Sequence, residues 1–254
     1  MKVVILCGGK GTRMKEVTDD TPKPLAPVGE KPILWHIMKT YMHYGLNDFI
    51  LLLGYKGEKI KEYFMNYHWR YQDFLLDGKE NKIELFGEMP KWKIMFIDTG
   101  IDTMTGGRIK QAEEYIEEDT FMLTYGDGIA DIRIDKLLEF HNSHKKIATV
   151  TGITKENQYG TLVVENNIAK SFLEKPKGKD IINGGFFVLN REVFSYIDNY
   201  SDCIFERKPL MKLAESQQLA VYFHNGFWKA MDTYKDLIDV NMIWENNEAP
   251  WKVW

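Results

Sequence analysis

An apolar strand that stops abruptly at a glycine cluster constrains this chain most. Val3-Val4-Ile5-Leu6-Cys7 is continuously apolar, the texture of a strand buried on both faces of a parallel sheet, and Gly8-Gly9-Lys10-Gly11 follows without a spacer. A strand of this kind needs parallel partners and covering helices, and the chain supplies both in alternation. Pro32 opens a helix whose stripe of Ile33, Leu34, Ile37, Met38 and Tyr41 ends near Gly45. Phe49 to Leu53 reads as a second buried strand ending at Gly54, and a helix from Glu58 to about Tyr67 follows. A strand at Ile94 to Asp98, a helix opening near Gly107 and a strand at Phe121 to Tyr125 continue the pattern. The order predicts an α/β fold, a parallel sheet with helices on both faces and ligands at the carboxyl ends of the strands.

Beyond this region the texture changes. From Ala148 to Leu189 the apolar runs are short and punctuated by turns such as Glu165-Asn166-Asn167 and Asn183-Gly184-Gly185. Residues 148–190 are expected to form a smaller β-rich portion inserted into a single domain spanning 1–254, placed to receive a second substrate. Helices near Arg191 to Ile197, Lys208 to Gln217 and Tyr234 to Trp244 complete the chain.

Composition removes several function classes. With 33 Lys plus Arg against 37 Asp plus Glu, the net charge of -4 argues against a protein that coats nucleic acid, which needs clustered excess cations. Two distant cysteines, Cys7 and Cys203, form no CxxC pair, so a zinc ribbon or redox couple is not indicated, and a reducing compartment fits. The apolar start is too short for a membrane span or a signal-peptide core, so the expectation is a cytoplasmic protein without membrane association.

The chemistry is concentrated after the first strand. In Gly8-Gly9-Lys10-Gly11-Thr12-Arg13-Met14 the glycines let backbone N–H groups approach phosphate oxygens, while Arg13 and, from Pro22-Lys23-Pro24, Lys23 add positive charge. A triphosphate clamp is the expected outcome. A dinucleotide fingerprint would need glycine where Met14 stands, and a Walker A loop would need Ser or Thr where Gly11 follows Lys10.

These motifs resemble the signature of the sugar-1-phosphate nucleotidylyltransferases. Further segments are similar to their glucose-1-phosphate cytidylyltransferase branch: Lys31-Pro32-Ile33-Leu34-Trp35-His36, Gly54-Tyr55-Lys56-Gly57, Met104-Thr105-Gly106-Gly107-Arg108, Tyr125-Gly126-Asp127-Gly128, Glu174-Lys175-Pro176, Asn183-Gly184-Gly185 and Met231-Asp232-Thr233. The resemblance runs the length of the chain and implies a Rossmann-like α/β/α sandwich with a mostly parallel central sheet. It implies that Gly8, Gly9, Gly11, Thr12, Arg13, Lys23, Thr105, Gly106 and Arg108 bind the nucleotide, with Arg13 and Lys23 catalytic and Thr12, Gly106 and Arg108 reading the base. Tyr125, Glu174, Lys175 and Asn183 are implied to hold the acceptor, and Asp127 and Asp232 to hold Mg²⁺. Two carboxylates suit that ion, which binds through one or two of them plus water and substrate phosphates.

The reaction implied is transfer of CMP from CTP to a small phosphorylated acceptor, α-D-glucose 1-phosphate first, giving CDP-glucose and pyrophosphate by a homo-oligomeric protein. The alternative acceptor is a non-sugar phosphate such as L-glutamine phosphate. Gln158-Tyr159-Gly160 stands where the glucose enzymes usually carry Arg-Phe-Gly, so a cation is missing on the acceptor side. A non-catalytic nucleotide-sugar sensor is a third class, disfavoured because a binding module does not need both carboxylates. His141 and His144, spaced i, i+3, read as structural histidines, and Trp251 and Trp254 read as a tail docked on its own domain or a neighbouring subunit.

Overall fold

A computed structural model describes residues 1–11, 14, 20–156, 161–165, 168–173 and 179–254. Its centre is a seven-stranded sheet built from β1 (Lys2–Leu6), β2 (Asp48–Leu53), β3 (Lys93–Asp98), β4 (Thr120–Tyr125), β5 (Ala148–Glu156), β6 (Lys179–Asn190) and β7 (Leu219–His224). In space the strands run β7-β5-β6-β4-β1-β2-β3, all parallel except β6, which is antiparallel to both β5 and β4. The longer helices are α1 (Ile33–His43), α2 (Gly57–Met65), α3 (Thr105–Gln111), α4 (Ile134–His144), α5 (Lys208–Glu215) and α6 (Tyr234–Glu245), and a short one, Tyr67–Tyr71, follows α2. The helix expected near Arg191 to Ile197 is a 3₁₀ helix, Arg191–Tyr196.

The period-2 alternation of a buried strand sorts the core into two layers. Val3, Ile5, Phe49, Leu51 and Met122 pack on one side with the apolar faces of α1, α2, α4 and α6. Val4, Leu6, Ile50, Leu52, Phe121 and Leu123 face the other way, against Ile109 of α3 and Leu213 of α5. The chain leaves β1 for β2 and β3 on one side and returns to place β4 on the other. That reversal opens a crevice at the carboxyl ends of β1 and β4, where an open α/β sheet binds its ligands.

Residues 148–190 are not a separate inserted portion throughout. β5 and β6 belong to the central sheet, because Ala148, Val150, Phe187 and Leu189 are buried in the same layer as β4. Outside it stands the hairpin of Thr161–Glu165 and Ile168–Leu173. A second hairpin, Asp73–Asp77 with Lys82–Phe86, lies between α2 and β3 and is largely exposed.

The carboxy-terminal tail docks on its own domain. Trp251 is fully buried beside Phe227, Trp244 and His36. The His36 Nε2–H donates to the Val28 carbonyl at 2.9 Å, and Nδ1 accepts from Trp251 Nε1–H at 3.4 Å, so the pocket suits the neutral imidazole. Protonating Nδ1 would set two donors against each other. Burial is the main cause that lowers the His36 pKa to about 4. The unfolded chain takes up this proton near pH 6.5, before the folded one does, so stability present above that pH is lost as pH falls towards 4. Urea unfolding should record a loss of roughly 3 kcal/mol across that window, and the His36→Gln variant should lack this component; equal pH slopes for both proteins would count against it.

Candidate active site

Lys23 is carried by a 3₁₀ turn, Lys23–Leu25, set by the prolines on either side of it. The turn docks on the carboxyl ends of β1 and β4 because Gly126 has no side chain. A Cβ there would come within 3.2 Å of the Pro24 ring and 2.9 Å of the Leu6 carbonyl. This close approach brings the Lys23 ammonium to Asp127 Oδ2 at 2.6 Å and Asp232 Oδ1 at 3.2 Å. Lys23 keeps only 12% of its side chain exposed.

Local pairing explains how two aspartates so far apart in sequence meet. Asp127 precedes the short strand Gly128–Ala130, and Asp232 lies just beyond Trp228–Ala230. The two strands are antiparallel with Gly128 opposite Ala230, so the ends bearing the carboxylates coincide. The Met231 N–H donates to the Asp127 carbonyl at 2.9 Å and closes the junction. Thr233 then caps α6 in a reciprocal capping box with Asp236, which fixes the backbone beyond Asp232.

The cleft bounded by these groups has a volume of about 620 Å³, within the range of roughly 300–1,000 Å³ usual for small-molecule sites. Gly8, Gly9, Gly11 and Lys23 line it together with Thr105, Arg108, Tyr125, Asp127 and Asp232. Space beside Gly9 is open, as a phosphate cradle requires. At the rim, Lys10 and Asp102 form an exposed ion pair of 2.7 Å from the glycine loop to the loop before α3. Thr12, Arg13, Glu174 and Lys175 lie outside the described residues.

Arg108 does not match its expected place in a base-reading set. It is 4% exposed, and its terminal nitrogens donate to the carbonyls of Leu53, Gly8 and Ile101 and to the Thr99 hydroxyl. Four donor protons thus meet four protein acceptors, and what a helix-start arginine suggested as free donors is a clip across the ends of β1 and β2. Gly8 and Gly54 are glycines because a Cβ on either would run into the guanidinium. Gly106 is also buried, its missing side chain replaced by Cys203, so it serves the packing of α3 rather than lining the cleft. Burial and Asp127 push the Cys7 thiol pKa well up, which keeps it protonated and inert.

Elsewhere in the lining, Thr105 and Tyr125 share a carboxylate that no local sequence pattern marks. Glu206 accepts from the Tyr125 hydroxyl at 2.5 Å and from the Thr105 hydroxyl at 2.6 Å. Asn183 is exposed outside the cleft lining and reaches it only through Tyr125, at 3.2 Å. His141 and His144 sit far from this cluster and share the Thr149 hydroxyl at 2.8 Å, a structural role.

The fold, the switch-point crevice and the paired carboxylates define a nucleotide-transferring class of protein. The chain belongs to the nucleotidyl transferase family, whose model matches residues 2–247. A protein of Bacillus subtilis (strain 168) named "Probable glucose-1-phosphate cytidylyltransferase" is 56% identical over 254 residues, covering 100% of both chains. The glucose-1-phosphate cytidylyltransferase of Salmonella typhi is 46% identical, again over 100% of both chains. Among solved structures, HddC from Yersinia pseudotuberculosis superposes with a TM-score of 0.70, 24% identity, and coverage of 96% of this chain and 99% of that one, a likeness of fold.

Removing the arginine clip should be costly. Arg108→Met removes four hydrogen bonds, each worth about 0.5–1.5 kcal/mol net, although the Leu53 and Gly8 carbonyls keep second donors in Thr99 and Tyr55, so a loss of about 3 kcal/mol is expected in urea unfolding. Arg108→Lys should recover only part of it, since an ammonium cannot reproduce the fork. Wild-type stability in Arg108→Met would remove the clip from this account.

Proposed function

We propose that this chain transfers CMP from CTP to α-D-glucose 1-phosphate, releasing pyrophosphate and forming CDP-glucose. The convergence of Lys23 with Asp127 and Asp232 at the mouth of the cleft carries the reading of the reaction. The two full-length relatives named for the glucose 1-phosphate reaction support the choice of nucleotide and acceptor. Both names specify a sugar phosphate, which favours that acceptor over the non-sugar phosphate left open by the sequence.

The chemistry follows from charge. The acceptor's phosphate is largely dianionic at neutral pH, its second pKa being near 6, so it attacks without a general base. One of its oxygens forms a bond to the α-phosphorus of CTP as the bond from that phosphorus to the bridging oxygen breaks, and pyrophosphate leaves. What remains for the protein is alignment and neutralisation of charge. The Lys23 ammonium, largely buried, meets negative charge growing on the α-phosphate. Backbone N–H groups around Gly9 and Gly11 receive the outer phosphates, and Arg13 is assigned the pyrophosphate on its place in the motif. Thr105 takes the nucleotide side of the cleft, Tyr125 and Asn183 the acceptor side, with Glu174 and Lys175 assigned there by sequence.

Asp127 and Asp232 fit a divalent cation. Both carboxylates already converge on one positive charge, the Lys23 ammonium. Among the described residues no group of three or more His, Cys, Asp or Glu converges to hold a metal, so these two would rely on water and phosphate oxygens for the remaining ligands, the habit of Mg²⁺. Bound there, Mg²⁺ supplies charge neutralisation on the phosphate oxygens.

With CTP, glucose 1-phosphate and Mg²⁺, pyrophosphate release should exceed that with UTP, GTP or ATP, and chelation should abolish it. Lys23→Ala should lower kcat on the order of 10²–10³-fold, as loss of one preorganised electrostatic group does, in a protein that still folds, though less stably because the two carboxylates lose their shared partner. Turnover near the wild-type rate would overturn the role given to Lys23.

A further inference from the structure

Glu206 lies behind the cleft rather than in its lining, and joins two walls that come from different parts of the fold. Thr105 opens α3 and Tyr125 ends β4; each gives its hydroxyl proton to a separate oxygen of this one carboxylate, at 2.6 and 2.5 Å. An ionised carboxylate only accepts, so both protons are committed to it. Each oxygen also accepts one bond from elsewhere in the fold. The Thr105 hydroxyl oxygen accepts the Phe205 N–H at 2.9 Å, and the Tyr125 oxygen accepts from Asn183 Nδ2 at 3.2 Å. Asn183 Oδ1 in turn accepts the Gly185 N–H at 2.8 Å, which sets which end of the amide faces Tyr125. Each hydroxyl oxygen therefore has acceptor capacity left and no proton to offer.

We propose that Glu206 is a positioning residue that sets the hydrogen-bonding polarity of both substrate walls, making Thr105 and Tyr125 acceptors toward whatever enters the cleft. This rests on the functional reading above. The matching partners carry hydrogen: an exocyclic base amine at Thr105 and a sugar hydroxyl at Tyr125. Cytosine has such an amine, and uracil has a carbonyl oxygen in its place.

Glu206→Gln is the informative change because it preserves shape and reverses one bond. The amide oxygen accepts one hydroxyl while the NH₂ donates to the other, and that second hydroxyl must turn its own proton outward. With the wild-type enzyme as reference, Glu206→Gln should raise the KM for CTP or for glucose 1-phosphate by about tenfold, the equivalent of 1.4 kcal/mol, with a smaller change in kcat and a narrower preference for CTP over UTP. In a Thr105→Val/Tyr125→Phe background, which has no hydroxyls to reverse, Glu206→Gln should leave KM nearly unchanged. Wild-type KM values for both substrates in Glu206→Gln, or the same penalty in that background, would overturn the proposal. If Glu206→Gln does not fold, Glu206→Asp replaces it: the shorter side chain reaches one hydroxyl, so a single KM should rise, and two unchanged values would be decisive against it. Pyrophosphate release by the wild-type protein reports separately on the functional reading, since its absence would reject that reading whatever the Glu206 variants do.

Discussion

Two carboxylates held side by side in a half-buried cleft repel each other, and the organisation of this site depends on the ammonium placed between them. Lys23 is close to both Asp127 and Asp232, and every element nearby contributes to that meeting. Proline rings on either side hold the lysine's turn, the bare Cα of Gly126 lets the turn approach, and an antiparallel strand pair brings the second aspartate alongside the first. Moving the turn outward by the width of a methyl group would separate the charges, leaving three partly desolvated ions without their partners. In that environment such a loss costs more than a surface ion pair does, because solvent no longer replaces the missing partner.

The glycine loop shows how function and scaffolding share a motif. Gly9 borders open cleft, but Gly8 and Gly54 owe their lack of a side chain to the Arg108 guanidinium packed against them. The fork draws the carbonyls of Gly8 and Leu53 inward. A peptide whose carbonyl turns inward directs the N–H of the next residue the other way, so a buried arginine can orient donors it never touches. Arg108 thus belongs to the same piece of machinery as the loop without being one of its ligand-facing groups.

Much of the architecture was legible because the buried strands are continuous apolar runs that end at glycines. β1, β2, β3 and β4 fall within a residue of the limits expected from sequence. Membership of β5 and β6 in the same sheet was not legible, since a hydrophobic pattern says that a strand is buried but not against which neighbour. The hairpin of Asp73–Asp77 escaped notice because Leu75 and Leu76 are both exposed, giving no alternation to read. Family motifs brought Lys23, Asp127 and Asp232 into view. Nothing local marks Glu206, which in Phe205-Glu206-Arg207-Lys208 looks like any solvated charge at a helix start. Its role comes from two hydroxyls about a hundred residues earlier in the chain, a distance that local pattern does not bridge.

Charge balance gives the carboxylates their meaning. Among the described groups of the inner cleft, Lys23 and Arg108 offset Asp127 and Asp232, and Lys10 offsets Asp102 at the rim. This arrangement is neutral only while the cleft holds no anion. Among the described residues of the inner cleft, a triphosphate meets the Lys23 ammonium, already shared by two carboxylates, and a guanidinium whose terminal protons are occupied. Carboxylates so placed would repel a phosphate through the short distance and reduced dielectric of the cleft, unless a cation lies between them and the substrate. Two aspartates at the mouth of an anion site are therefore an electrostatic liability when bare and an asset when they hold a divalent ion. That is the physical argument behind the proposal that they hold a divalent cation rather than serve Lys23 alone.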